Sequence, residues 1–208
     1  MTAVRRCVGA VLAGGQGTRM GGIAKGLRPV GAHRMIDRAA AAIRDCTDDL
    51  VLVATHPSAA EWLPGVRVVR DARPGLGALS GIHAALASTD ADVLVVPWDM
   101  PFVPAALLRA LRDAGELEDA DACAPLSRSP WGFEPLCAWF AQGVLPAVDS
   151  LLDAGDGRAG AIATHARLVT IDATHWGDPD ELFFNVNTPE DLALANARAH
   201  AGAAGGAQ

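Results

Sequence analysis

Short apolar runs alternate with stretches of helical periodicity along most of the chain, the pattern of βαβ units building a mostly parallel sheet. The runs at Val8–Leu12, Leu50–Ala54, Val66–Val69 and Asp92–Val96 are apolar almost throughout, as strands covered on both faces must be. Between them, His33–Arg44 and Gly77–Ala87 carry apolar residues at helical spacing, and Pro104–Asp113 follows with a proline in its first turn, where the missing N–H costs little. The later half is less regular. Strands are expected at Ala120–Pro125, Glu134–Phe140 and Arg167–Ile171, with helices over Gln142–Asp153, Arg158–His165 and Pro189–Arg198. Thr188 with Asp191 three residues on reads as a capping box for the closing helix.

No linker long or polar enough to divide the chain is present, so residues 1–199 are expected as one domain and 200–208, ending AGAAGGAQ, as a flexible tail. The 208 residues are 50% hydrophobic, enough for a substantial core. A net charge of −7 argues against a nucleic-acid partner, which requires a basic surface. Four scattered cysteines without CxxC pairs read as buried thiols in a reducing compartment, and the N-terminal apolar run breaks at a diglycine, too short for a signal core or a membrane span. The expected location is the cytoplasm.

The first strand feeds a loop containing Gly14, Gly15, Gly17, Gly21, Gly22 and Gly26, with Arg19 and Lys25 as its only charges. Glycines let backbone N–H groups face an anion closely, and two fixed cations make the loop a cradle for polyphosphate. A Walker loop is excluded, because Lys25 lies between Ala24 and Gly26 with no Ser or Thr after it. The dinucleotide fingerprint fails too, with Met20 at its third glycine position. The segment LAGGQGTRMGGIAKGL instead resembles the signature loop of the molybdenum cofactor guanylyltransferases, LAGG-x-x-x-RMGG-x-DK, matching at Leu12–Gly15, Arg19–Gly22 and Lys25, with Ala24 in place of the usual aspartate.

Three further segments carry the same resemblance in order. Asp99 follows the fourth strand in PWDMP, where the family has PCDMP; a carboxylate at that edge can hold Mg²⁺ with nucleotide phosphates, or simply cap the helix that follows. Asp71–Ile82 resembles D-x-x-x-G-x-G-P-L-x-G-I at Asp71, Gly77 and Gly81, with Ala78 replacing proline; a plain strand-to-helix turn is the alternative. FFNVNTPEDL, residues 183–192, resembles the family's other hallmark, with Asn187 as the candidate metal or phosphate ligand.

The resemblance implies a single-domain, Rossmann-like (GT-A-like) α/β nucleotidyltransferase fold with helices flanking the sheet. It implies transfer of GMP from GTP to the terminal phosphate of molybdopterin with Mg²⁺, and transient contact with molybdoenzymes or cofactor chaperones. Arg19, Lys25 and Asp99 would be catalytic. Leu12, Ala13, Gly14, Gly15, Lys25, Asp71, Gly77, Gly81 and Asp99 would bind nucleotide, with Thr55, or alternatively His56, standing where a guanine-reading asparagine is usual. Asp99 and Asn187 would hold the metal. A cytidylyltransferase on the same pterin, or another small-molecule nucleotidyltransferase, is the nearest alternative; a non-catalytic nucleotide-binding protein, motivated by Ala24, is the alternative of another class. Arg128, Trp131 and Glu134 lie where such a fold would receive its second substrate. The six histidines show no metal spacing.

Overall fold

The computed structural model describes residues 5–14, 24–71 and 73–205. In chain order the strands and α-helices are β1 (Cys7–Leu12), β2 (Pro29–Val30), β3 (His33–Arg34), α1 (Met35–Arg44), β4 (Asp49–Val53), β5 (Arg67–Val69), α2 (Ala78–Ala87), β6 (Asp92–Pro97), α3 (Ala105–Leu117), β7 (Ala122–Pro125), β8 (Ala138–Phe140), α4 (Leu145–Asp153), β9 (Leu168–Ile171), α5 (Pro179–Leu182) and α6 (Pro189–Gly205). Seven strands form one sheet in the order β5-β4-β1-β6-β8-β7-β9, and β8 alone runs against the rest. The expected α/β architecture with a mostly parallel central sheet is what forms.

The continuous apolar runs divide their side chains between two faces at the strand period of two. Along β1, Cys7 and Val11 join Ile36, Ile43, Leu107 and Leu111 beneath α1 and α3. Val8, Ala10 and Leu12 join Leu79, Ile82, Leu86, Val148 and Leu152 beneath α2 and α4. Strand β6 alternates likewise, Leu94 and Val96 to one side, Val93 and Val95 to the other. A small third cluster of Val30, Met35, Val186 and Ala195 seats α6 on the β2–β3 hairpin. Asn196 reinforces it, accepting from Gly31 N (3.0 Å) and donating to Pro29 O (3.3 Å).

Several expected boundaries move. The helix expected from His33 starts at Met35, because His33–Arg34 pairs with Pro29–Val30 as the hairpin. The strand expected over Glu134–Phe140 is confined to β8, since residues before it turn, Cys137 N donating to Glu134 O (3.3 Å). Residues 142–144 and 159–164 are 3₁₀ turns rather than α-helix. Helix α6 runs on to Gly205, into the segment expected as a flexible tail.

Candidate active site

The strand order reverses between β1 and β6, since the chain builds outward to β5 and then crosses to the other side of β1. In open α/β sheets the crevice beyond the carboxyl ends at such a point receives ligands. Backbone bonds prolong the ladder there: Ala13 N to Val53 O (2.8 Å), Ala54 N to Val69 O (3.0 Å) and Trp98 N to Leu12 O (3.1 Å). Leu12, Ala13, Gly14, Thr55, Asp71 and Asp99 all follow or end parallel strands on this one edge. Among the described residues, a side chain at Gly14 would meet nothing within 4 Å. Thr55 is exposed beside it in the edge, and Gly81 brings the first turn of α2 against Leu12, with 3.8 Å between a Cβ placed there and Leu12 Cδ2.

Three candidates separated widely in sequence meet above β6. Lys25, the only lysine in the chain, opens a 3₁₀ turn over Lys25–Leu27 and donates from Nζ to Asp99 Oδ2 and to Asn187 Oδ1 (2.8 Å). Asp99 is buried, and its carbonyl accepts from Val186 N (3.0 Å), which ties the segment carrying Asn187 to the end of β6. Asn187 is fixed in turn by its own N–H on Asp191 Oδ2 (3.0 Å). An anionic and a neutral hard oxygen thus converge on one cationic centre. Such a donor pair fits a hard divalent ion that takes its remaining ligands from phosphates and water. Among the described residues no cluster of three or more His, Cys, Asp or Glu side chains is gathered.

Glu134 is the neighbour that pattern reading placed only in a region. Burial pushes its carboxyl up to about 6; the charge of Asp99 acts in the same direction, and a bond from Leu136 N (3.2 Å) opposes both. Asp71 faces inward to the fold: its oxygens accept from Arg73 N (2.7 Å) and from the buried Ser80 hydroxyl (2.6 Å), bracing the start of α2. Gly77 caps that helix at φ +99°, and a Cβ there would lie 2.6 Å from Gly157 O, so glycine permits both the turn and the close approach. Gly15 and Arg19 lie outside the described residues.

Arg128, Trp131 and Glu134 have separate partners. Arg128 pairs with Asp180 beside a cleft of about 650 Å³ lined by Leu126, Asp172 and Asp178 among others. The exposed Trp131 lies under the Arg158 guanidinium, 5.5 Å from ring centroid to carbon. His83 bonds Asp149 (3.0 Å) between α2 and α4, in keeping with a structural histidine. What sequence reasoning missed is an aromatic stack beside Lys25. Trp98 stacks on Trp62 with centroids 5.1 Å apart, and Trp62 lies 5.2 Å from His56. The only signal was Trp98 itself, standing where the resembled pattern has cysteine.

The profile of the MobA-like NTP transferase domain matches residues 9–169. A molybdenum cofactor guanylyltransferase of Desulfosudis oleivorans is 33% identical over 200 residues, covering 93% of this chain and 96% of the relative. One from Cereibacter sphaeroides is 36% identical, covering 91% and 95%. Among solved structures, the molybdopterin-guanine dinucleotide biosynthesis protein A of Archaeoglobus fulgidus superposes with a TM-score of 0.78 at 26% identity, covering 93% of this chain and 99% of that one.

Proposed function

The chain belongs to the MobA-like NTP transferase family, and on that premise we propose that it is a molybdenum cofactor guanylyltransferase. The observation that carries the reading is the meeting of Lys25, Asp99 and Asn187 at the switch point of the sheet. The reaction is attack by the terminal phosphate of molybdopterin on the α-phosphorus of GTP. A phosphorus–oxygen bond forms to the pterin phosphate, the bond to the β-phosphate oxygen breaks, and pyrophosphate leaves. A phosphate monoester is already ionised at neutral pH, so the protein needs no general base; positioning and charge neutralisation suffice.

In this reading Lys25 and Arg19 hold the triphosphate, and backbone groups of Leu12–Gly15 meet the base and ribose, with the Gly77–Gly81 segment closing that side and Asp71 bracing it. Thr55 stands at the base edge with a single hydroxyl. Asp99 and Asn187 would hold Mg²⁺, which when bound supplies charge neutralisation on the phosphates. Four free thiols suit a cytoplasmic setting, where transient contact with molybdoenzymes or cofactor chaperones would deliver the product.

The test is pyrophosphate release from GTP, CTP or ATP in separate incubations with Mg²⁺ and molybdopterin. GTP is expected to be preferred by at least about tenfold, because buried polar groups built for one base edge go unpaired against another. Thr55→Asn should hold or raise GTP affinity. Asp99→Asn should lower turnover by roughly a hundredfold or more with the fold intact, as loss of one charge-stabilising group at a reacting centre does. Faster use of CTP would make the protein a cytidylyltransferase, and GTP binding without release from any triphosphate would make it non-catalytic.

A further inference from the structure

A lysine ammonium rides on a flexible four-carbon stem, so holding it at one point requires a fixed backbone as well as acceptors. The backbone beside Lys25 is fixed by an indole. A Cβ added at Gly26 would lie 2.2 Å from Trp98 Cε3 and 2.4 Å from Cδ2, so the Gly26 main chain rests directly on the ring. The ring cannot readily retreat. Trp98 is 3% exposed, its backbone N–H is bonded to Leu12 O at the end of β1, and Trp62, itself buried, stacks on it. The indole Nε1 has no hydrogen-bond partner among the described residues, so the ring is held there by packing. Asp99 is the next residue, which puts the carboxylate and the platform beneath its lysine partner on one short segment.

We propose that Trp98 is a positioning residue for Lys25: its indole sets the Lys25–Leu27 turn through Gly26 and so holds the ammonium on Asp99 and Asn187. The consequence for catalysis rests on the proposed triphosphate role of Lys25, but the placement itself does not. Because Lys25 is the only lysine, the two can be read separately.

Acetic anhydride labelling, followed at Lys25 by peptide mass mapping, reports how firmly the ammonium is held without any nucleotide. The KM for Mg·GTP against kcat reports what that placement does. Trp98→Ala and Gly26→Ala should each speed Lys25 labelling several-fold and raise KM several-fold with a smaller change in kcat. Trp98→Phe, which keeps a ring under Gly26, should stay close to wild type in both. Adding Gly26→Ala to Trp98→Ala should cost nothing further, because the clash partner is gone; that non-additivity is the mark of direct coupling. Lys25 labelling at the wild-type rate in Trp98→Ala and Gly26→Ala, with circular dichroism showing both folded, would reduce Trp98 to a core filler and overturn the proposal. Faster labelling with an unchanged KM would uphold the positioning role and sink the triphosphate role of Lys25 instead.

Discussion

Glu134 titrates where an ordinary glutamate does not, and the cause is tertiary. Its carboxyl has a pKa of about 6 against an ordinary 4.5, chiefly through burial, with the charge of Asp99 adding to it. A raised carboxyl binds its proton more tightly in the folded than in the unfolded chain. Its contribution to stability is therefore full below about 4.5, falls as pH rises to about 6, and is flat above that. The 1.5-unit gap between those values corresponds to roughly 2 kcal/mol. Glu134→Gln should remove this slope, leaving urea midpoints between pH 4.5 and 6.5 flatter than in the wild type and the neutral-pH midpoint no lower. An unchanged slope would mean that another group titrates there. None of this is written at positions 131–137, because Asp99, whose charge acts on Glu134, stands after β6, far off in sequence. Lys25, Asp99 and Asn187 were legible individually, each inside a motif, yet their hydrogen bonds to one another were not. Gly26 against Trp98 was invisible for the same reason.

Elements with their own local pattern could be read; the short hairpin made by pairing alone could not. The capping box was legible and forms as expected: Thr188 Oγ1 accepts from Asp191 N (3.1 Å), while Asp191 Oδ2 accepts from Thr188 N (2.9 Å). The β2–β3 hairpin has two residues per strand, too few for any period to show, and it took the first two residues from the helix expected at His33. Helix α6 outran its expected end because alanine, the best helix former, outnumbers glycine after Arg198. Its start does more than stop fraying, since Asp191 Oδ2 also holds the backbone of Asn187. Thr188→Ala should cost about 1 kcal/mol of unfolding free energy, the usual value of a lost cap. Asp191→Ala should lower stability further and also weaken Mg·GTP binding, measured by calorimetry, by freeing Asn187. Wild-type affinity in that variant would confine the box to holding the helix.

At the scale of the whole molecule, the sheet separates two cores of unequal use. The face under α2 and α4 supports the Gly77–Gly81 segment, whereas the face under α1 and α3 reaches the site through Trp62 and Trp98. The alternation that fills both faces was legible as continuous apolar runs, but which helix covers which face depends on crossovers no local pattern encodes. All four cysteines fall on the α1–α3 side. They come from β1, the turn after α1, β7 and the turn before β8, so together they sample that core from the middle of the sheet towards its β9 side. Burial lifts each thiol above its ordinary pKa, Cys7 and Cys123 to about 12, which keeps them as unreactive thiols at neutral pH. The native protein should therefore resist a thiol reagent at pH 8, and all four cysteines should react together across the urea transition that circular dichroism reports. The free energy obtained from labelling should equal that from the spectroscopic transition, since an opening large enough to admit the reagent to Cys123 must unseat α3 from the sheet. Cys46, at the end of α1 and bonded through Sγ to Ala105 O (3.1 Å), is the site where an early local opening would first appear. Labelling of Cys46 well before the others would show that the α1–α3 contact opens on its own, and that the core beneath the site is two cooperative units rather than one.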